Sequence, residues 1–282
     1  MLNWKVGYTM KQQTFGRSRP SIAWELQYRR VLEELIAKMQ KDVEQEITQY
    51  YNNELVTDAA SVKWVQIMKA LRQKWYREFD VKARELAKWF ANKTDKRTMA
   101  QIQRKLKEVG MTITPSYTAA QKQLISEIVA ENVGMIKSIP QQYLRGIQKV
   151  VSTSFIKGHD MQSITIALKP IIKKQLVEKM QNETKQIERR ALHRAALIAR
   201  DQTNKATQQL ATANAQALGA TKGRWIHVPG KYSSRKTHVE MNGKVFPLSD
   251  GLYDKDVHRN VKPGELIYCN CQFEVLMPGF DE

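Results

Sequence analysis

From Ser21 to Leu218 apolar residues return at three- and four-residue steps, and after Gly219 they no longer do. That switch restricts the fold more than any other feature, because a three-to-four-residue period buries one face of a helix and strand-forming runs need a sheet. The class it predicts is α+β, with a predominantly helical N-terminal body and a small β-rich C-terminal module. Residues 1–20 mix Gly, Pro, Gln and basic side chains without a sustained period and read as an extended basic arm. Ser21 is placed to cap a helix through Trp24, Leu32, Leu35, Ile36 and Met39 that runs to about Tyr51. A second helix starts near Asp58 and carries Val62, Val65, Leu71, Trp75, Phe79, Leu86 and Phe90.

Further on, Lys96–Val109 reads as a separate short basic helix closed by Gly110. A linker over 111–116 leads to a helix ending near Ile139, and Pro140 is placed at the first position of the next one. Gly158-His159-Asp160 breaks that helix, with His159 as a loop residue, and two short helical pieces follow around Met161–Leu168 and Ile171-Ile172. The longest helix is expected from about Glu183 to Leu218, where many alanines favour helix and let neighbours approach closely. The chain therefore divides into an arm over 1–20, helical segments over 21–110 and 111–182, and a last module over 183–282. In that module Trp225-Ile226-His227-Val228 and Lys244-Val245-Phe246 have strand composition, Asn242-Gly243 signals a turn, and 266–276 reads as a final strand or pair.

Lys and Arg number 46 against 28 Asp and Glu, a formal charge of +18. Such an excess points to a polyanion such as double-stranded DNA, or to an acidic protein surface. No apolar run approaches the ~20 residues that span a bilayer. The opening residues lack the apolar core of a signal peptide. The only two cysteines stand one residue apart, awkward for an unstrained bridge, which points to a reducing cytoplasm as the place of synthesis. Tryptophans interleave with basic residues in the first two helices, and the near-helical spacing of Trp64, Trp75 and Trp89 favours core or partner-helix packing over base stacking.

Ala199-Arg200-Asp201-Gln202-Thr203-Asn204 on the long helix is followed in order by Trp225, Arg235-x-x-His238, Pro263-Gly264-Glu265 and Cys269-Asn270-Cys271. This series, over about the last third of the chain, resembles the phage Mu F-like head morphogenesis proteins. It departs from their pattern at Asn270, where a basic residue is usual, and at Gln202, where an acidic one is frequent. The resemblance implies a non-enzymatic minor head (capsid) protein of a tailed phage, located in the virion at the head interior or portal vertex. Its implied partners are the portal protein, a major capsid or scaffold protein, and packaged DNA. An internal DNA-binding protein ejected with the genome is the alternative reading, and a metal-dependent hydrolase is a third.

In an extended strand Cys269 and Cys271 point to one face and both thiolates reach one soft ion. His238 is the first further ligand because the family pattern has a His there, and His258 or His227 would complete a structural zinc site. The other reading is a buried thiol pair beside a hydrogen-bonded His. Arg200, Asp201 and Arg235 are expected to form a charge-assisted network that pins the β module to the long helix. Arg17, Arg19, Trp24 and Trp64 are the residues expected to meet a partner or DNA.

Overall fold

The computed structural model describes residues 16–54, 60–108, 110–112, 118–159, 169–230 and 234–277. Four long helices come first, α1 (Ile22–Glu54), α2 (Ala60–Glu108), α3 (Ala119–His159) and α4 (Lys169–Ala217). Then follow β1 (Lys222–Ile226), the short α5 (Lys236–Glu240), β2 (Val245–Pro247), β3 (Leu252–Asp254), β4 (Arg259–Val261) and β5 (Gln272–Leu276). The α+β order predicted from the switch at Gly219 is the one found. Among the described residues no helix is long and apolar enough to cross a membrane.

Each helix forms for a visible reason. Ser21 caps α1 through its hydroxyl, which accepts the Trp24 N–H at 3.4 Å. The buried face of α1 is Tyr28, Leu32, Leu35, Ile36, Met39 and Val43, a three-to-four-residue stripe. Trp64, Met68, Leu71, Trp75, Phe79 and Ala83 make the equivalent stripe on α2. That helix continues through Lys96 without a break, so the separate helix expected over 96–109 is its last part. Gly110 stops it, with φ +80° and a Schellman pair in which Gly110 N–H binds Lys107 O and Met111 N–H binds Leu106 O. Gly219 ends α4 the same way, with φ +92° and bonds from Gly219 to Gln216 and from Ala220 to Ala215.

Pro140 lies inside α3 and does not begin a new helix. A Pro in a helix interior costs about 3 kcal/mol, and here it is flanked by Ile139, Tyr143 and Leu144, each 2% exposed or less. Burial of those three side chains offsets the lost backbone bond. Ile171-Ile172 belongs to α4, which starts at Lys169, whereas the short helical piece expected at 161–168 falls outside the described residues. His159 is the last residue of α3 and not a loop residue.

The chain divides into two compact units that cut across the four segments expected from the sequence. One consists of the described residues of Met1–Trp24, Lys88–Val129 and Arg200–Glu282, and the other of those of Glu25–Ala87 and Ala130–Ala199. In the second unit Tyr28 donates to Asn132 at 2.8 Å, Trp75 donates to Asp42 at 2.7 Å, and Arg194 donates to Ser138. In the first unit β1 is the central strand of an antiparallel sheet in the order β2-β1-β5, and β3 and β4 form a separate ribbon. Gly223 pairs with Phe246 on one side and Val275 on the other. A Cβ at Gly223 would lie 3.0 to 3.1 Å from Leu248, Phe273 and Phe246, so these side chains close over the strand more tightly than a larger residue would let them without a shift. They pack with Trp225 and with Ile102, Leu106, Ala211 and Ala215 of α2 and α4.

The last stretch of the expected arm is not free. Arg17 bridges to Glu274, Ser18 N–H binds Phe273 O, and Arg17 Nε donates to Gln272, so residues 17 and 18 extend the sheet beside β5. The expected strand at 266–269 is a turn, with Cys269 N–H on Leu266 O and Tyr268 at φ +61°.

Candidate functional site

Four pieces of the first unit meet around the cysteines. His227 follows β1, His238 lies on α5, Asp254 ends β3, and Cys269 and Cys271 precede β5. From Cys269 to Val275 every second residue is buried, so both cysteines face inward with Phe273 although only 272–276 form a strand. The thiols are free. His238 Nδ1 is 3.3 Å from Cys269 Sγ and 3.6 Å from Cys271 Sγ, and all three ligand atoms lie within 4.8 Å of one another. His227 Nδ1 reaches Cys271 Sγ at 3.6 Å from the half-buried side. On the far side of the ring, His238 Nε2 meets Asp254 Oδ2 at 3.1 Å. Asp254 is fully buried, and its other oxygen accepts the Asp256 N–H at 2.9 Å. Trp225 closes the floor edge-on to His238, with ring centroids 5.3 Å apart.

The electrostatics follow from this crowding. The Cys271 thiol is pushed down to about 7 by its hydrogen bond with the Cys269 thiol. That bond, followed by burial, holds Cys269 far above the usual thiol range. Burial opposes charge on His238, but its hydrogen bond with Cys269 and the nearby Asp254 outweigh this and hold its pKa above the ordinary value. Burial also opposes charge on Asp254, and the bonds it accepts, with the one from Asp256 foremost, outweigh that and hold its pKa below the ordinary carboxylate value. Burial, and then the charge of His238, lower the pKa of His227.

The polar face of α4 holds this segment in place. Asp201, Asn204 and Gln208 follow at three- and four-residue steps and so share one side of the helix. Asp201 Oδ1 accepts the Tyr268 N–H at 2.7 Å, and Asn204 donates to the carbonyl of Cys269. Gln208 donates to the Ser18 carbonyl at 2.9 Å and accepts from the Ser18 hydroxyl. Gly264, at φ +74°, rests against this face, where a Cβ would come within 2.6 Å of Gln208. Glu265 shapes the same turn by accepting the Lys262 N–H and the Arg259 guanidinium. From the other side Arg235 donates to Ile267 O at 2.9 Å.

Of the residues singled out from the sequence, the structure brings together Cys269, Cys271 and His238. It places His227 beside them, whereas His258 lies exposed at φ +54° in the β3–β4 turn. Asp254 was not anticipated, since a lone Asp after a Tyr carries no motif. Asp201 reaches the backbone of Tyr268 from the long helix, whereas Arg235 reaches that of Ile267 from within the C-terminal module itself, and Arg200 is half-buried just before Asp201. Trp64 is 1% exposed and is a core residue, not a surface anchor. Trp24 is half-buried under the Arg97 guanidinium, 5.3 Å from its ring, Arg19 is exposed, and Arg17 is engaged with β5.

Comparison with known proteins places this site in context. Residues 145–274 match the family model described as Phage Mu protein F like protein, a region that begins within α3 and ends in β5. An uncharacterized protein of Haemophilus influenzae is 26% identical over 263 residues, covering 89% of this chain and 53% of its own length. The chain thus spans about half the length of that relative. No solved structure matches it.

Proposed function

We propose that this phage Mu F-like protein acts in head morphogenesis of a tailed phage or prophage, as a minor head protein without catalytic activity of its own. The observation that supports this is the match over 145–274, which contains the whole clamp from Asp201 to Cys271. Five residues of the motif series have a holding role there. Asp201 and Asn204 grip the turn, Gly264 lets it approach, Glu265 shapes it, and Arg235 ties its outer side. Cys269, Cys271 and His238 are 5% exposed or less, which favours a structural centre over one open to a substrate.

Location at the portal vertex and contact with packaged DNA are the finer parts of the proposal. The net charge of +18 supports contact with DNA, because Lys and Arg displace counterions from phosphates. In the second unit Arg189, Arg190 and Arg194 border a half-open groove with Ile139 and Tyr143 as its apolar wall. The test is the protein content of purified particles. The chain should be found in heads at low ratio to the portal subunit, and removal of its gene should give heads that assemble or infect poorly. Its absence from heads, together with normal infectivity of the deletion, would refute the proposal.

A further inference from the structure

We propose that the cluster is a structural zinc site with Cys269, Cys271 and His238 as three ligands and His227 as the fourth, and with Asp254 orienting His238. The spacing supports it. With Zn–S near 2.3 Å and Zn–N near 2.05 Å, a tetrahedron requires each S···N edge to be about 3.5 Å. Three of the four such edges, Cys269 to His238, Cys271 to His238 and Cys271 to His227, are 3.3, 3.6 and 3.6 Å.

Hydrogen bonds join the two thiols and the ring only in pairs. Asp254 accepts from Nε2, which leaves Nδ1 as the one ring nitrogen directed at the sulfurs. A single nitrogen cannot form well-directed hydrogen bonds with two sulfurs at once, whereas one metal ion uses all three atoms. A buried carboxylate on the outer nitrogen of a ligating His is also the usual means of fixing its tautomer and orientation. His227 lies outside the set whose atoms are all within 4.8 Å of one another, so metal binding draws its ring inward from Cys271. Two thiolates and two imidazoles suit zinc better than harder ions.

The ion would join the end of β1, α5 and the segment before β5. The site does not depend on the head-assembly proposal, and its test is independent of infectivity. Full-length protein purified without added metal should contain about one zinc per chain. Cobalt exchanged into the native chain should give thiolate-to-metal charge transfer and the intense visible bands of a tetrahedral centre. Asp254→Asn should weaken zinc affinity by about 10- to 100-fold, His227→Ala should weaken it more, and His258→Ala should leave it unchanged. Because Cys271→Ser also alters a buried core position, the cobalt spectrum of the native chain is the primary readout. A metal-free protein that gives no tetrahedral cobalt spectrum overturns the site, and zinc affinity unchanged by His227→Ala overturns the fourth ligand.

Discussion

Gly264 and Asn204 show how much of the clamp depends on single groups. A side chain at Gly264 meets two obstacles, a backbone at φ +74° that L residues avoid and the Gln208 side chain 2.6 Å away. Gly264→Ala should lower stability by about 1–3 kcal/mol, read from the midpoint of urea unfolding. Asn204→Ala leaves the Cys269 carbonyl without its amide donor in a buried place. Its expected cost is again about 1–3 kcal/mol, and Asn204→Asp should not restore the bond because a carboxylate offers no N–H. At this scale the sequence showed the types of residue but not all the partners. Cys269, Cys271 and His238 were legible from their order. His258 was put before His227 as the further ligand, and the order was wrong for a physical reason: which of two loop histidines turns inward depends on how β1 and the β3–β4 ribbon are placed, and spacing along the chain does not carry that.

Among the elements, α2 and α3 were each expected to be two helices and are each one. The signals misread were local ones. Lys96 begins a basic stretch and Pro140 has a good first-turn preference, yet buried neighbours on both sides of each keep the helix continuous, as tertiary packing overrides propensity. Gly110 was read correctly as a helix stop because a positive φ at a helix end is a demand that the local sequence meets by itself. Between these helices, Asp80 of α2 pairs with Lys137 of α3 at 2.7 Å. Hydrogen bonds from Lys137 and then Arg84 hold the Asp80 carboxyl below its ordinary value. A depressed carboxyl stabilises the fold above its unfolded pKa and stops doing so as pH falls through the folded one. Thermal unfolding of Asp80→Asn should therefore differ from the parent near neutrality and converge with it in acid, and an equal offset at both ends would contradict this coupling.

For the molecule as a whole, the helices-then-strands order was legible because periodicity reports which face is buried. The two discontinuous units were not, because α2, α3 and α4 each contribute residues to both and no composition shift marks where one unit ends. Net charge is the property of the whole chain that yields a test. With 46 basic against 28 acidic residues, binding to double-stranded DNA should be largely independent of sequence. The logarithm of affinity should fall linearly with the logarithm of salt, with a slope of about −0.9 for each phosphate neutralised. Arg17 is already engaged with Gln272 while Arg19 is exposed, so replacing both should remove at most about one phosphate contact from that slope. Anisotropy titrations across a salt series measure it directly. A flat response would show that the charge serves an acidic protein surface, and a collapse of binding on loss of Arg19 alone would show that the contact is concentrated beside β5 and not spread over the chain.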